Sequence, residues 1–319
     1  MPTATVIETC LRKLGVDETP LRAETLAEGD SAAFRVSLPS RGCLLRVTPS
    51  TAPAQTQECA RREIEFHAQL AAHIPLSVPR LLGSHADDSG TCAMWAAPES
   101  AKPARVWADQ DYFDAVSDLA NLHAAWWGRA ERLAEYAFLR RPTPAALEED
   151  IRAAFAAWRG LAAHEHNAAV LTGQMLGQLR GLLLNFAAIE KALRATPATL
   201  IHGDCSPDAI FRGAAGQLVW WGWRRVGIGR AAQDISALFQ NAQTAGSAPP
   251  AQKALAQYQA QVKMVLGDDF SMVAFLRAMD AAELRARLLH GPFALARANA
   301  QDVADAAHRI AQLARKLGV

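Results

Sequence analysis

The residues of this chain that could do chemistry lie in one short stretch. Leu200-Ile201-His202-Gly203-Asp204 reads as an apolar strand ending in a carboxylate, a common seat for a catalytic base. A phosphoryl-transfer site needs two further groups. An Asn a few residues past the base and an Asp after the next hairpin hold Mg²⁺ against the nucleotide phosphates. From Ala209 through Gln233 there is no Asp, Glu, Asn or His. The stretch offers the carboxylate of such a site without its metal ligands.

Two kinds of sequence must position it. Up to Pro98, short β-like runs surround one helix. Leu26–Leu38 reads as two strand segments around the turn Glu28-Gly29-Asp30-Ser31, and Cys43–Thr48 as a further apolar strand. Gln55–His73 has helical spacing, and Val78–Ser84 pairs with Thr91–Ala97 as a hairpin across Asp87-Asp88-Ser89-Gly90. Pro98-Glu99-Ser100-Ala101-Lys102-Pro103 reads as a linker. After it, helices are expected at Tyr112–Trp127, Ala145–His164, Val170–Arg194, Ala251–Leu266, Phe270–Leu289 and Gln301–Leu317. Only Thr199–His202 and Gln217–Trp221 look extended there, and they bracket the candidate chemistry. The expected fold is α+β, with a small β-rich N-terminal lobe over residues 1–98 and a large, mostly helical C-terminal lobe over residues 99–319.

Composition narrows the partners. A chain of 319 residues is long for one core, and half of it is apolar, enough for two lobes around a cleft. A net charge of +1 gives no support to nucleic acid or membrane as a partner. No apolar run reaches transmembrane length, and Met1–Val16, with Glu8, Arg12 and Lys13, is an amphipathic segment unlike a signal peptide. Five scattered cysteines without a C-x-x-C pair fit reduced cytoplasmic thiols better than disulfides or zinc.

In the N-terminal lobe, Cys59, Glu63, Phe66 and Leu70 form one stripe of the Gln55–His73 helix. Glu63 thus falls on an apolar face, where an unpaired carboxylate is costly. Arg46, which interrupts the strand Cys43–Val47, is a plausible partner; otherwise Glu63 lies solvated at the stripe's edge. A strand cation paired to a helix Glu steadies nucleotide phosphates in kinases. The turn holding Gly29 and Ser31 could cover phosphates, but one glycine beside Glu28 and Asp30 makes a poor cradle, and an ordinary hairpin turn explains it equally.

A small sheet with one helix, then a helical lobe carrying strand, His-Gly-Asp and hairpin, resembles the aminoglycoside phosphotransferase and choline-kinase-like superfamily of small-molecule kinases, the ecdysteroid-kinase-like branch being one candidate subgroup. In that superfamily the catalytic loop reads H-G-D-x-x-x-x-N, followed by I-D-W and then D-[LI]-A. This chain has His202-Gly203-Asp204-Cys205-Ser206-Pro207-Asp208-Ala209, and later Gln233-Asp234-Ile235-Ser236-Ala237-Leu238. Leu119-Ala120-Asn121-Leu122-His123 resembles the first helix of the family's helical lobe.

The resemblance implies a protein-kinase-like fold, Asp204 as the base position, and Arg46, Glu63, Gly29 and Ser31 on the nucleotide side. It implies a structural role for His202, and for Asp234 as the cap of the next helix and a bond to the loop backbone. The metal-binding Asn position falls on Ala209, and the Asp position on Gly222 or, with a hairpin two residues different, on Trp220. None of these binds a metal; Asp208, beside the lost Asn, is the one carboxylate that could rescue a Mg²⁺ contact. Losing both ligand side chains should suppress transfer by roughly four orders of magnitude.

Arg224, Arg225 and Arg230 stand in the segment instead, where guanidiniums could offset phosphate charge without a metal, or lie solvated on the surface. Trp220, Trp221 and Trp223 could fill the vacated metal pocket or pack into the core. Trp126, Trp127, Trp158, His164 and His166 are acceptor-site candidates that fit a core or a surface as well. The reading is a catalytically impaired pseudokinase that binds nucleotide (ATP, with Mg²⁺ weak) or a protein partner in the cleft. The alternatives are an active ATP-dependent phosphotransferase acting on a small-molecule hydroxyl through a non-standard metal site, and other chemistry at Cys205, whose thiol is reactive only if not inertly buried.

Overall fold

The computed structural model describes residues 3–98, 100–101, 104–141, 143–213 and 215–319. After helix α1 (Thr3–Lys13) come β1 (Arg22–Ala27), β2 (Ala32–Ser37), β3 (Gly42–Pro49), helix α2 (Ala54–Gln69), β4 (Leu81–Asp87) and β5 (Gly90–Ala96). The strands form one antiparallel sheet in the order β1-β2-β3-β5-β4.

Strand alternation sorts their side chains onto two faces. Phe34, Val36, Cys43 and Leu45 face α1 and pack on Ile7, Cys10 and Leu11. Ala33, Leu44, Ala93 and Trp95 face the helical lobe. Both faces of β3 are therefore covered, which is why its sequence is a nearly unbroken apolar run. The five cysteines are free and buried.

Ser100–Ala101, expected in a linker, form a short strand β6; Glu99, Lys102 and Pro103 of that linker lie outside the described residues. The helical lobe continues with α3 (Asp109–Trp126), α4 (Ala130–Ala134), α5 (Pro144–Ala162), α6 (Gly173–Leu184) and α7 (Phe186–Leu193). Then come β7 (Thr199–Ile201), β8 (Ile210–Arg212), β9 (Leu218–Trp220), β10 (Gly227–Gly229), α8 (Ala231–Thr244), α9 (Ala251–Leu266), α10 (Met272–Leu289), α11 (Gly291–Ala294) and α12 (Ala300–Leu317). Two small sheets carry the candidate chemistry: β10 pairs with β7, and β6 extends the β8–β9 hairpin.

Helix starts follow local chemistry. Thr143, Thr172, Ser271 and Asn299 each accept a hydrogen bond from the amide three residues on, opening α5, α6, α10 and α12. The single helix expected over Val170–Arg194 is two, because the chain leaves helical geometry at Asn185 (φ −96°, ψ 26°). The break lets Leu179 and Leu183 of α6 and Phe186 and Ile189 of α7 all reach the core. α10 runs through that core, buried along Phe275, Ala278, Ala281, Leu284 and Leu288. No helix among the described residues is long and apolar enough to cross a membrane.

Candidate active site

The loop after β7 is built on one buried carboxylate. Asp234 accepts hydrogen bonds from the backbone amides of His202 (2.7 Å) and Gly203 (2.8 Å), and His123 Nε2 lies 3.2 Å from the same group. His123 is held on its other side by the Tyr258 hydroxyl at 2.9 Å. Burial alone would raise the Asp234 carboxyl, but His123, His202 and the Gly203 amide hold it below the usual carboxylate range. The expectation that Asp234 caps α8 is corrected. The helix begins at Ala231, so Asp234 sits inside its first turn and its oxygens are spent on the loop.

Gly203 has φ +81°, and a Cβ there would come within 2.2 Å of the Arg225 carbonyl, so only glycine fits. His202 Nδ1 accepts from the Asp204 amide (3.3 Å), while Nε2 lies 3.1 Å from the Trp221 carbonyl. With Nδ1 accepting, Nε2 is left to donate to that carbonyl. His202 thus ties the loop to the hairpin, and Asp204 is exposed at the turn. Cys205 is fully buried, and burial, then the charges of Asp234 and Asp204, push its thiol far up. Such a thiol is no nucleophile, which removes the basis for chemistry at Cys205.

The two expected ligand positions lie side by side. The Trp221 amide bonds to the Ala209 carbonyl (2.9 Å), and a Cβ built on Gly222 would stand 3.7 Å from Ala209 Cβ. Gly222 itself is left-handed, at φ 85° and ψ 37°. Neither position offers a ligand atom. Trp220, the alternative register, is fully buried and donates through Nε1 to Asp118 (2.8 Å). Asp208 is exposed in the 3₁₀ turn Pro207–Ala209. No group of three or more His, Cys, Asp or Glu among the described residues is arranged to hold a metal ion. The residues present do not fit Mg²⁺.

Above this floor, Arg46 Nε lies 3.1 Å from Glu63 Oε2, without the alignment of a hydrogen bond. The same guanidinium sits 4.6 Å from the centroid of the Trp221 ring. Burial pulls Arg46 below the usual arginine range, with Glu63 opposing; burial pushes Glu63 up, opposed by Arg46, Arg224 and His202. α2 is fastened to the helical lobe by Arg62, which donates to the carbonyls of Phe138 (2.9 Å) and Arg224 (3.1 Å) and pairs with Glu58. Phe66 stacks on Trp223 at 4.2 Å. Besides the Arg46–Glu63 ion pair, Arg224 Nε, Trp95 Nε1 and Trp221 Nε1 are buried without a hydrogen-bond partner.

The other sequence candidates separate. Ser31 is buried with its hydroxyl 2.7 Å from Thr48 Oγ1, leaving Gly29 as the open part of the turn. Arg225 is exposed, and Arg230 feels Arg194 and Glu190, away from the cleft. Trp220 and Trp223 are core side chains, so Trp221 alone of the three lines the cleft. Trp126 and Trp158 are buried in the helical core, and His164 and His166 stack on each other in an exposed turn. They do not converge on a site.

Sequence reasoning missed His123, Arg62, Arg35 and Asp118. His123 stood inside a quoted motif and could have been paired with Asp234. Asp118 lines a surface groove of about 460 Å³ beside Asp114 and Ser117. Burial raises its carboxyl to about 6.

A family model described as "Phosphotransferase enzyme family" matches residues 22–266. Among solved structures, the macrolide 2′-phosphotransferase of Brachybacterium faecium matches with a TM-score of 0.60 and 18% identity, over 96% of this chain and 97% of that one. The GDP complex of wild-type aminoglycoside 2′-phosphotransferase-IIIa matches with a TM-score of 0.61 and 15% identity, over 98% and 96%. A microcompartment-associated aminopropanol kinase matches with a TM-score of 0.65 and 14% identity, over 97% and 94%. Comparison with curated proteins gave no match. At these identities the structural matches establish the α+β, two-lobed kinase-like fold.

Proposed function

Because the chain belongs to the phosphotransferase enzyme family, we propose that it is a pseudokinase of that family. It takes a nucleotide's phosphates on guanidinium groups in place of a metal. The observation that carries this reading is the cleft's reversal of chemistry. Where Mg²⁺ ligands are needed, Ala209 and Gly222 supply none, while beside them Arg224 Nε and Trp221 Nε1 are buried donors without hydrogen-bond partners, and Arg46 is ion-paired with Glu63. Unpaired buried donors favour an acceptor-rich, anionic ligand. The GDP held by a structural neighbour supports a nucleotide as that ligand.

Asp204 keeps the base position, but proton abstraction is the smaller part of a loose phosphoryl-transfer transition state. With no metal clamp, the protein's role is binding, read out by a protein partner or by the spacing of the lobes. Five free, buried thiols are in keeping with a reducing cytoplasmic setting.

Thermal-shift titration with ATP, with and without Mg²⁺, tests the proposal. Stabilisation of similar size with Mg²⁺ or with EDTA is expected, and no ATP hydrolysis. Binding that requires Mg²⁺, or measurable Mg²⁺-dependent hydrolysis, would replace this reading with an active phosphotransferase.

A further inference from the structure

The lobes meet in a flat, closed apolar cluster. Ala33, Leu44, Ala93 and Trp95 of the sheet form its upper side, and Phe211, Val219 and Trp221 of the β8–β9 hairpin its lower side, all buried. At its edge is the carbonyl of Pro98, where the chain passes from one lobe to the other. A flat ring with a hydrogen-bond donor on its rim, such as a purine, suits the Phe211 ring at the edge of that cluster and the Pro98 acceptor beside it.

Arg35 already makes those contacts. It lies on β2 two residues from Ala33, on the same face. Its guanidinium carbon is 5.3 Å from the centroid of the Phe211 ring, and Nη1 donates to the Pro98 carbonyl at 3.0 Å. A planar cation stacked on an aromatic floor and bonded at its edge to a backbone acceptor substitutes for a base. We infer that Arg35 is a built-in occupant of the nucleobase position, which an incoming nucleotide must displace.

Two further features belong to this device. Arg35 Nη2 is buried without a hydrogen-bond partner, so the docked arginine is incompletely satisfied and release restores its hydration. Deeper in the cleft, Arg46 over Trp221 repeats the arrangement, a guanidinium of the sheet stacked on an aromatic of the hairpin. A nucleotide's phosphates compete for Arg46 and Arg224, while its base competes with Arg35. Opening the cleft therefore requires both ends of one ligand.

The inference rests on the guanidinium-based reading of the cleft, and the probes separate the two. Mg²⁺-free ATP, tripolyphosphate and adenosine are titrated calorimetrically into wild type, Arg35→Ala and Arg35→Lys. Lysine keeps the stem and the charge without the planar fork, and so controls for folding. Both variants are expected to bind ATP about tenfold more tightly than wild type, with tripolyphosphate affinity unchanged. Equal or weaker ATP binding by both variants, with tripolyphosphate still bound, overturns the inference. If tripolyphosphate fails to bind wild type, the guanidinium reading falls by itself. Adenosine then decides: binding to Arg35→Ala but not to wild type upholds the occupied position, and no difference between them overturns it.

Discussion

The guanidinium of Arg46 stacks on Trp221, one residue before the emptied position Gly222. A strand cation that would hold phosphates beside a metal is here seated on an aromatic ring and a single buried carboxylate, Glu63. The contact ties the sheet to the segment leading into Gly222, and it bears on several measurable properties.

Glu63 is the buried acid set against Arg46 and Arg224 inside the lobe interface, with the exposed Asp204 also acting on Arg46. Glu63→Ala leaves the buried Arg46 guanidinium without its ion-pair partner and is expected to destabilise the fold by about 3–5 kcal/mol. The double variant Arg46→Met with Glu63→Leu should recover most of that loss. Denaturant unfolding of the single and double variants checks it; full additivity would refute the pairing.

Ala209→Asn with Gly222→Asp should recreate part of a metal site, because the two positions already face one another. Aspartate at φ 85° is strained, though Asp tolerates this region better than most residues. The double variant is expected to gain a Mg²⁺-dependent thermal shift with ATP, and ATP hydrolysis on the order of tenfold or more above the assay background, where wild type shows none. Each single variant should give far less.

Asp234 satisfies two loop amides and a histidine at once. Asp234→Ala strands all three and should cost about 3–5 kcal/mol, with Asp234→Asn intermediate because one oxygen still accepts. Chemical denaturation reads the stability. Faster hydrogen exchange confined to the His202–Asp204 loop and the start of α8 would locate the damage.

Burial lowers the His67 imidazole from its ordinary value to about 3, and its Nε2 has no hydrogen-bond partner. The unfolded chain takes up a proton below about pH 6.5 while the folded chain stays neutral, so stability falls as pH drops from 6.5 toward 3. By pH 4 the loss is on the order of 3 kcal/mol. Asp118, raised to about 6, acts in the opposite sense, since the folded state holds its proton more firmly between about pH 4 and 6. His67→Phe should therefore flatten the acid limb of the stability profile, and Asp118→Asn should steepen it. Unfolding midpoints between pH 4 and 7 measure both slopes.

Much of this architecture was legible because it is local or ordered along the chain. The sheet's strands, the α2 stripe through Glu63 and the helix over Ala251–Leu266 follow from alternation, spacing and turn residues. Ala209 and Gly222, the candidate ligand positions counted from Asp204 and Asp234, prove to be neighbours in the structure. What could not be read depends on tertiary position. Arg35 looks like the polar residue of an alternating strand, and nothing nearby says that its face meets Phe211 and the Pro98 carbonyl. Asp234 precedes an apolar run as a cap would, but α8 starts three residues earlier because Ala231 and Ala232 are already buried helix. The break at Asn185 carries no proline or glycine to announce it.

The cluster of Ala33, Leu44, Ala93, Trp95, Phe211, Val219 and Trp221 also joins the lobes mechanically. With Arg62 fastening α2 from below, it makes the sheet and the hairpin one cooperative unit. The amides of β2, β3 and β8 should open with a common free energy in native-state hydrogen exchange. A ligand that pries the cluster apart would split that unit in two, so occupancy would register as a loss of cooperativity far from the point of contact.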